Sequence, residues 1–143
     1  MILIKNGLYN EQVIIPKNKP YVHLIGQDKD KTIIYLNLNV GSKLTGKEIG
    51  GKTAYWEHSV HNPSSPVYKY EGSVVVVKGD HFYTENISYV NDWGVLSDNG
   101  PQALAMNSQA DCASFYNCKF RSFQDTWMTA NNDVSRHYVK DAG

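Results

Sequence analysis

Residues 80–89, DHFYTENISY, can be laid over residues 111–120, DCASFYNCKF, at an offset of 31. Asp80 then falls on Asp111, Asn86 on Asn117, Ile87 on Cys118 and Tyr89 on Phe120. The shared grammar is an aspartate, a few residues, an asparagine, then an apolar–x–aromatic pair. The earlier stretch IGQDKDKTIIYLN follows it with one residue fewer. A unit of this size cannot close a hydrophobic core alone, so it must stack on copies of itself. Because successive strand residues face opposite sides, Ile87, Tyr89, Cys118 and Phe120 are expected to point inward in stacked rows.

The rest of the chain agrees. Short β-branched and aromatic runs (VIIP, YVHLIG, TIIYLNL, SVVVVKG, NISYVN, ALAMN, SFYNCKF) are bounded by turn residues, and no sustained helical apolar face is present. Such spacing suits a sandwich, a barrel or a solenoid, and the repeat selects the solenoid. The 143 residues fit a single domain, an all-β partial solenoid over residues 1–143. Two irregular stretches interrupt it, at about 41–72 and 91–101. Loops of this length are either functional or solvated decoration, and the residues leave both readings open.

Lys and Arg total 14, as do Asp and Glu, so charge favours neither nucleic acid nor an anionic membrane as a partner. No apolar run approaches the roughly 20 residues that a bilayer span requires. The opening MILIKNGLYNEQVIIP has no signal-peptide pattern. Met1 runs straight into a strand, which suggests that the natural beginning is missing. Cys112 and Cys118 make no disulfide framework and read as small buried thiols.

Chemistry concentrates in GPQALAMNSQAD and FYNCKFRSFQDTW. Gln102 and Gln124 are 22 residues apart, and Asp125 follows Gln124. If a coil takes about that length, the two glutamines sit on neighbouring coils, about 4.8 Å apart. Two amide N–H groups aimed at one point can hold an oxyanion, and a carboxyl beside them can give or take a proton. Polar side chains can also form ladders along a solenoid with no catalytic role, so the residues alone leave both readings open. His58 and His61 lack an evident third ligand, so no metal or other cofactor is expected. Asn86-Ile-Ser fits a glycosylation sequon but falls in a strand expected to be buried. Asp111 and Arg136 read as turn or stacking residues. Tyr55, Trp56, Tyr68 and Tyr70 either line a sugar cleft or pack a long loop.

Residues 73–143 resemble the central motifs of the pectin methylesterases. SVVVVKGDHFYTENISYVND is similar to that family's S-A-T-x-x-V-x-G-x-x-F-x-A-x-N-I-T-F-x-N, and GPQALAM to its Q-A-V-A-L. FYNCKFRSFQDTW resembles F-Y-x-C-x-x-x-G-Y-Q-D-T-L, and SRHYVKDAG the R-Q-F-Y-x-x-C that follows. The opening ILIKNGLYNEQVIIP resembles K-x-G-x-Y-x-E-x-V-x-I-P, leaving 41–72 as the main gap. The resemblance implies a right-handed parallel β-helix and a metal-free carbohydrate esterase that removes methyl esters from polygalacturonate and releases methanol. It implies that Asp125 is the general acid/base and that Gln124 and Gln102 stabilise the oxyanion. The family's second aspartate, the nucleophile, lies in G-x-V-D-F-I-F-G. Counting about one coil of 22 residues from Asp125 puts it just past Gly143, so the isolated chain is expected to be inactive. The family's L-G-R-P-W arginine is also unmatched.

Ser122 and Phe123 replace the family's Gly-Tyr, Trp127 replaces Leu, and Met128 stands where an aromatic is usual. Phe123 and Trp127 are the candidate sugar contacts at the substituted positions. Pectin is the implied partner, and a secreted or periplasmic location is implied in the same way. An uncapped last coil is expected either to self-associate or to be followed by further chain. A non-catalytic carbohydrate-binding β-helix is the competing reading. A pectate lyase would want a calcium-binding carboxylate cluster, and none is evident around Asp125.

Overall fold

A computed structural model of the chain describes residues 1–37, 73–93 and 103–129. The described residues hold twelve short strands and no helix. In chain order these are β1 (Ile2–Ile4), β2 (Gly7–Asn10), β3 (Val13–Ile15), β4 (His23–Gly26), β5 (Thr32–Leu36), β6 (Ser73–Val77), β7 (Tyr83–Glu85), β8 (Ser88–Asn91), β9 (Leu104–Ser108), β10 (Ser114–Tyr116), β11 (Lys119–Arg121) and β12 (Trp127–Met128). The chain deals them in rotation to three four-stranded sheets, β1-β4-β7-β10, β2-β5-β8-β11 and β3-β6-β9-β12. All pairings are parallel. Each coil therefore contributes one strand to each sheet and lies on the coil before it. Parallel crossovers are right-handed, and the fold is a right-handed parallel β-helix.

The corners explain why the strands are so short. Tyr21, His81 and Cys112 lead into the first sheet with φ of 61°, 57° and 58°, and Asn86 and Asn117 turn from the first sheet to the second with φ of 55° and 46°. Left-handed residues bend an extended chain sharply, and asparagine tolerates that conformation better than most. At the equivalent corner one coil earlier the residue is Gly26. A Cβ there would lie 2.2 Å from the carbonyl oxygen of Asn86, so close stacking of the two corners excludes a side chain.

The repeat read from the sequence is the structural register. Ser88, Tyr89 and Val90 pair with Lys119, Phe120 and Arg121, an offset of 31. Tyr89 is fully buried, and its ring stacks on Phe120 at 5.4 Å and 10°. Ile87 is fully buried, and the Cys118 sulfur lies 3.5 Å from the Thr84 carbonyl oxygen. Inward rows run Leu24–Thr84–Phe115, Tyr9–Ile34–Tyr89–Phe120 and Val13–Val75–Met106–Trp127. The buried Tyr89 hydroxyl meets the Thr84 hydroxyl at 2.7 Å, which satisfies both groups away from water. Burial pushes the Tyr89 phenol well above its ordinary value, against a smaller lowering by the Thr84 bond.

Three expectations need correction. Cys112 is exposed and Cys118 only half-buried, so they are not a pair of buried thiols. Cys112 occupies a left-handed corner, which carries it out of the inward rows. Asn86 lies at a corner between β7 and β8 and not in a strand. Its Oδ1 accepts a bond from Asn117, so it serves the stack as a structural residue. Asn91 closes β8 instead of opening a loop. The 41–72 stretch and residues 94–101 lie outside the described residues.

Candidate functional site

Residues 122–126 form the corner between β11 and β12. Gln124 and Asp125 are both exposed there. The backbone on either side of Asp125 is tied to the preceding coil. Ala103 N donates to Gln124 O at 3.1 Å, and Ala105 N and Met106 N donate to Thr126 O at 3.0 and 3.1 Å. A side-chain bond closes the base of the corner, with Ser122 Oγ donating to Thr126 Oγ1 at 2.9 Å and lying 3.5 Å from Gln124 O. Between these ties Asp125 holds φ 53°. A non-glycine residue in that region costs on the order of 1–3 kcal/mol and persists where its surroundings over-determine it. The corner thus presents one carboxyl group and one amide to solvent on a rigid support. A carboxyl so placed can exchange a proton with a ligand on the outer surface, and the neighbouring amide can donate to a developing negative charge.

Met106 pairs with Trp127, so the coil step at this corner is 21 residues, against 22 between the two glutamines. Gln102 itself lies outside the described residues. The residue after it, Ala103, is fully buried and bonded to Gln124 O. The two aromatic candidates differ. Phe123 is 42% exposed. Trp127 is 38% exposed, but its ring meets Phe115 and Phe120 edge-on, each at 4.6 Å. One aromatic from each sheet thereby fills the interior of the fourth coil, so most of the Trp127 ring serves packing.

Two supporting features escaped the sequence reading. The Ser122–Thr126 tie is one; its signal was a pair of hydroxyl residues bracketing the corner. The other is Asn91, fully buried, whose Nδ2 donates to Leu104 O at 2.9 Å and whose Oδ1 accepts from Trp93 N at 3.2 Å. It fastens the end of β8 to the start of β9, two residues after Gln102. Its signal was the final asparagine of NISYVN. Among the described residues no three His, Cys, Asp or Glu groups gather to hold a metal ion. His58, His61, Tyr55, Trp56, Tyr68, Tyr70 and Arg136 lie outside those residues.

Residues 50–142 match the family model described as Pectinesterase. The chain is 32% identical over 143 residues to probable pectinesterase 8 of Arabidopsis thaliana, covering 99% of this chain and 30% of that protein. Among solved structures it is similar to a pectin methylesterase from carrot, at 25% identity and a TM-score of 0.64, covering 91% of this chain and 33% of that one. It is also similar to a pectin methylesterase from Yersinia enterocolitica, at 26% identity and a TM-score of 0.65, covering 88% and 38%. The chain thus spans about a third of the length of each of these relatives.

Proposed function

The chain belongs to the pectinesterase family, and on that premise we propose that its corner at 122–126 carries the acid/base half of a methylesterase site acting on pectin. The observation that carries this reading is the exposed Asp125, held in a left-handed turn between two carbonyls tied to Ala103 and to β9, inside the run Gln124-Asp125-Thr126. In the proposed reaction a second carboxylate attacks the C6 ester carbonyl. Asp125 gives its proton to the departing methanol, then takes one from the water that attacks the acyl-enzyme. Gln124 and Gln102 donate to the oxyanion at each tetrahedral stage. The resemblance matches no residue of Met1–Gly143 to the attacking aspartate, so these 143 residues alone are expected to give no enzymatic rate. Pectin as substrate and a location outside the cytoplasm belong to the same proposal.

The test is methanol release from methylated pectin, measured for the purified chain and for a version that carries the nucleophile-bearing coil, each with and without Asp125→Asn. The amide keeps the shape but cannot supply the proton. The longer version should lose roughly 10²–10⁴-fold of its rate on substitution. An unchanged rate in Asp125→Asn would overturn the role given to Asp125. Robust release by the 143-residue chain would show that the attacking group lies within it.

A further inference from the structure

We propose that Ser122 is a positioning residue for Asp125, its hydroxyl closing the corner at the base so that the carboxyl-bearing residue stays in its left-handed turn. This rests on the acid/base reading of Asp125. The two backbone ties reach Gln124 O and Thr126 O and do not depend on side-chain identity. The bond from Ser122 Oγ to Thr126 Oγ1, 2.9 Å long, does. It joins the first and last residues of the corner, and the same oxygen lies 3.5 Å from Gln124 O.

Its consequence follows from the backbone. Asp125 at φ 53° sits in a conformation that an L-residue leaves readily for the right-handed region when its neighbours allow it. Such a change would swing the carboxyl away from its present direction. Displacing a catalytic group by about 1 Å can cost up to roughly 10²-fold. Ser122 itself need not touch the substrate; it acts by narrowing the positions that Asp125 occupies. Loss of the hydroxyl should therefore lower kcat and leave KM in place.

The experiment compares Ser122→Ala and Ser122→Thr with the parent in the esterase-competent protein. The first readout needs no catalysis. The intraresidue amide–Hα NMR cross-peak of Asp125, strong at positive φ, should weaken in Ser122→Ala and persist in Ser122→Thr. The second is kinetic: kcat should fall roughly tenfold in Ser122→Ala at unchanged KM and recover in Ser122→Thr. A full-strength cross-peak in Ser122→Ala overturns the proposal, as does a weakened cross-peak with unchanged kcat. Equal loosening of the Tyr89 and Met106 amides in exchange would show a global effect and also overturn it. Absence of methanol release from the parent overturns the functional reading itself, and is thereby distinguished from a failure of Ser122.

Discussion

Asn117 Nδ2 donates to Asn86 Oδ1 across 2.6 Å, linking the same corner of two successive coils. Both residues are left-handed, so one residue type meets two demands: it tolerates the turn and supplies both ends of the link. Asn117→Ala should lower stability by about 1–2 kcal/mol, from the lost bond and the poorer fit of alanine to positive φ. Asn117→Gly should cost less, since glycine accepts the turn. Urea midpoints at constant m-value check the ranking.

Gly26→Ala should destabilise more than a surface substitution. The added methyl would sit 2.2 Å from Asn86 O and 2.8 Å from Ile87 Cγ1. The first obstacle is backbone and cannot rotate aside, so a loss of about 1–3 kcal/mol is expected, as for overpacking. A melting temperature equal to the parent's would show that the coils separate freely at this corner.

Tyr89 gives the fold an alkaline limit. Burial raises its native ionisation above the ordinary 10, so the unfolded chain releases this proton first as pH rises. The unfolded state then binds fewer protons than the native state, and stability falls from about pH 10 upward, by at most about 1.4 kcal/mol per pH unit from this group. Below pH 10 its contribution is fully present. Tyr89→Phe keeps the stack on Phe120 and removes the titration, so its urea midpoint should change less between pH 8 and 10.5 than the parent's.

Trp127 and Phe123 can be separated by one pair of substitutions. Trp127→Ala removes one of three rings filling the fourth coil and should cost about 2–4 kcal/mol, near the lower end for a large buried aromatic because the ring is partly exposed. Phe123→Ala, at an exposed position, should change stability by less than about 0.5 kcal/mol. If Phe123 contacts sugar, its substitution should instead raise KM for methylated pectin in the esterase-competent protein. Thermal melts and initial rates on the same preparations test both halves.

The sequence by itself determined the stacking and its register. Parallel strands place like on like, so the offset of 31 that superposes Asn86 on Asn117 is the same offset that pairs Tyr89 with Phe120. It also brought Gln124 and Asp125 forward as candidates, while the residues alone left a structural polar ladder equally open. Only the tertiary structure decided which way several of these side chains face. The alternation of inward and outward positions holds along a strand but not through a left-handed corner. Cys112, at such a corner, is exposed and not buried, and Trp127, just past another, is turned toward Phe115 and Phe120. The length of each coil was likewise set in three dimensions, 31 residues from β8 to β11 but 21 from β9 to β12. Stacking fixes the strands that pair and leaves the corner lengths free, so the Ser122–Thr126 tie could be seen only once the corner had been folded.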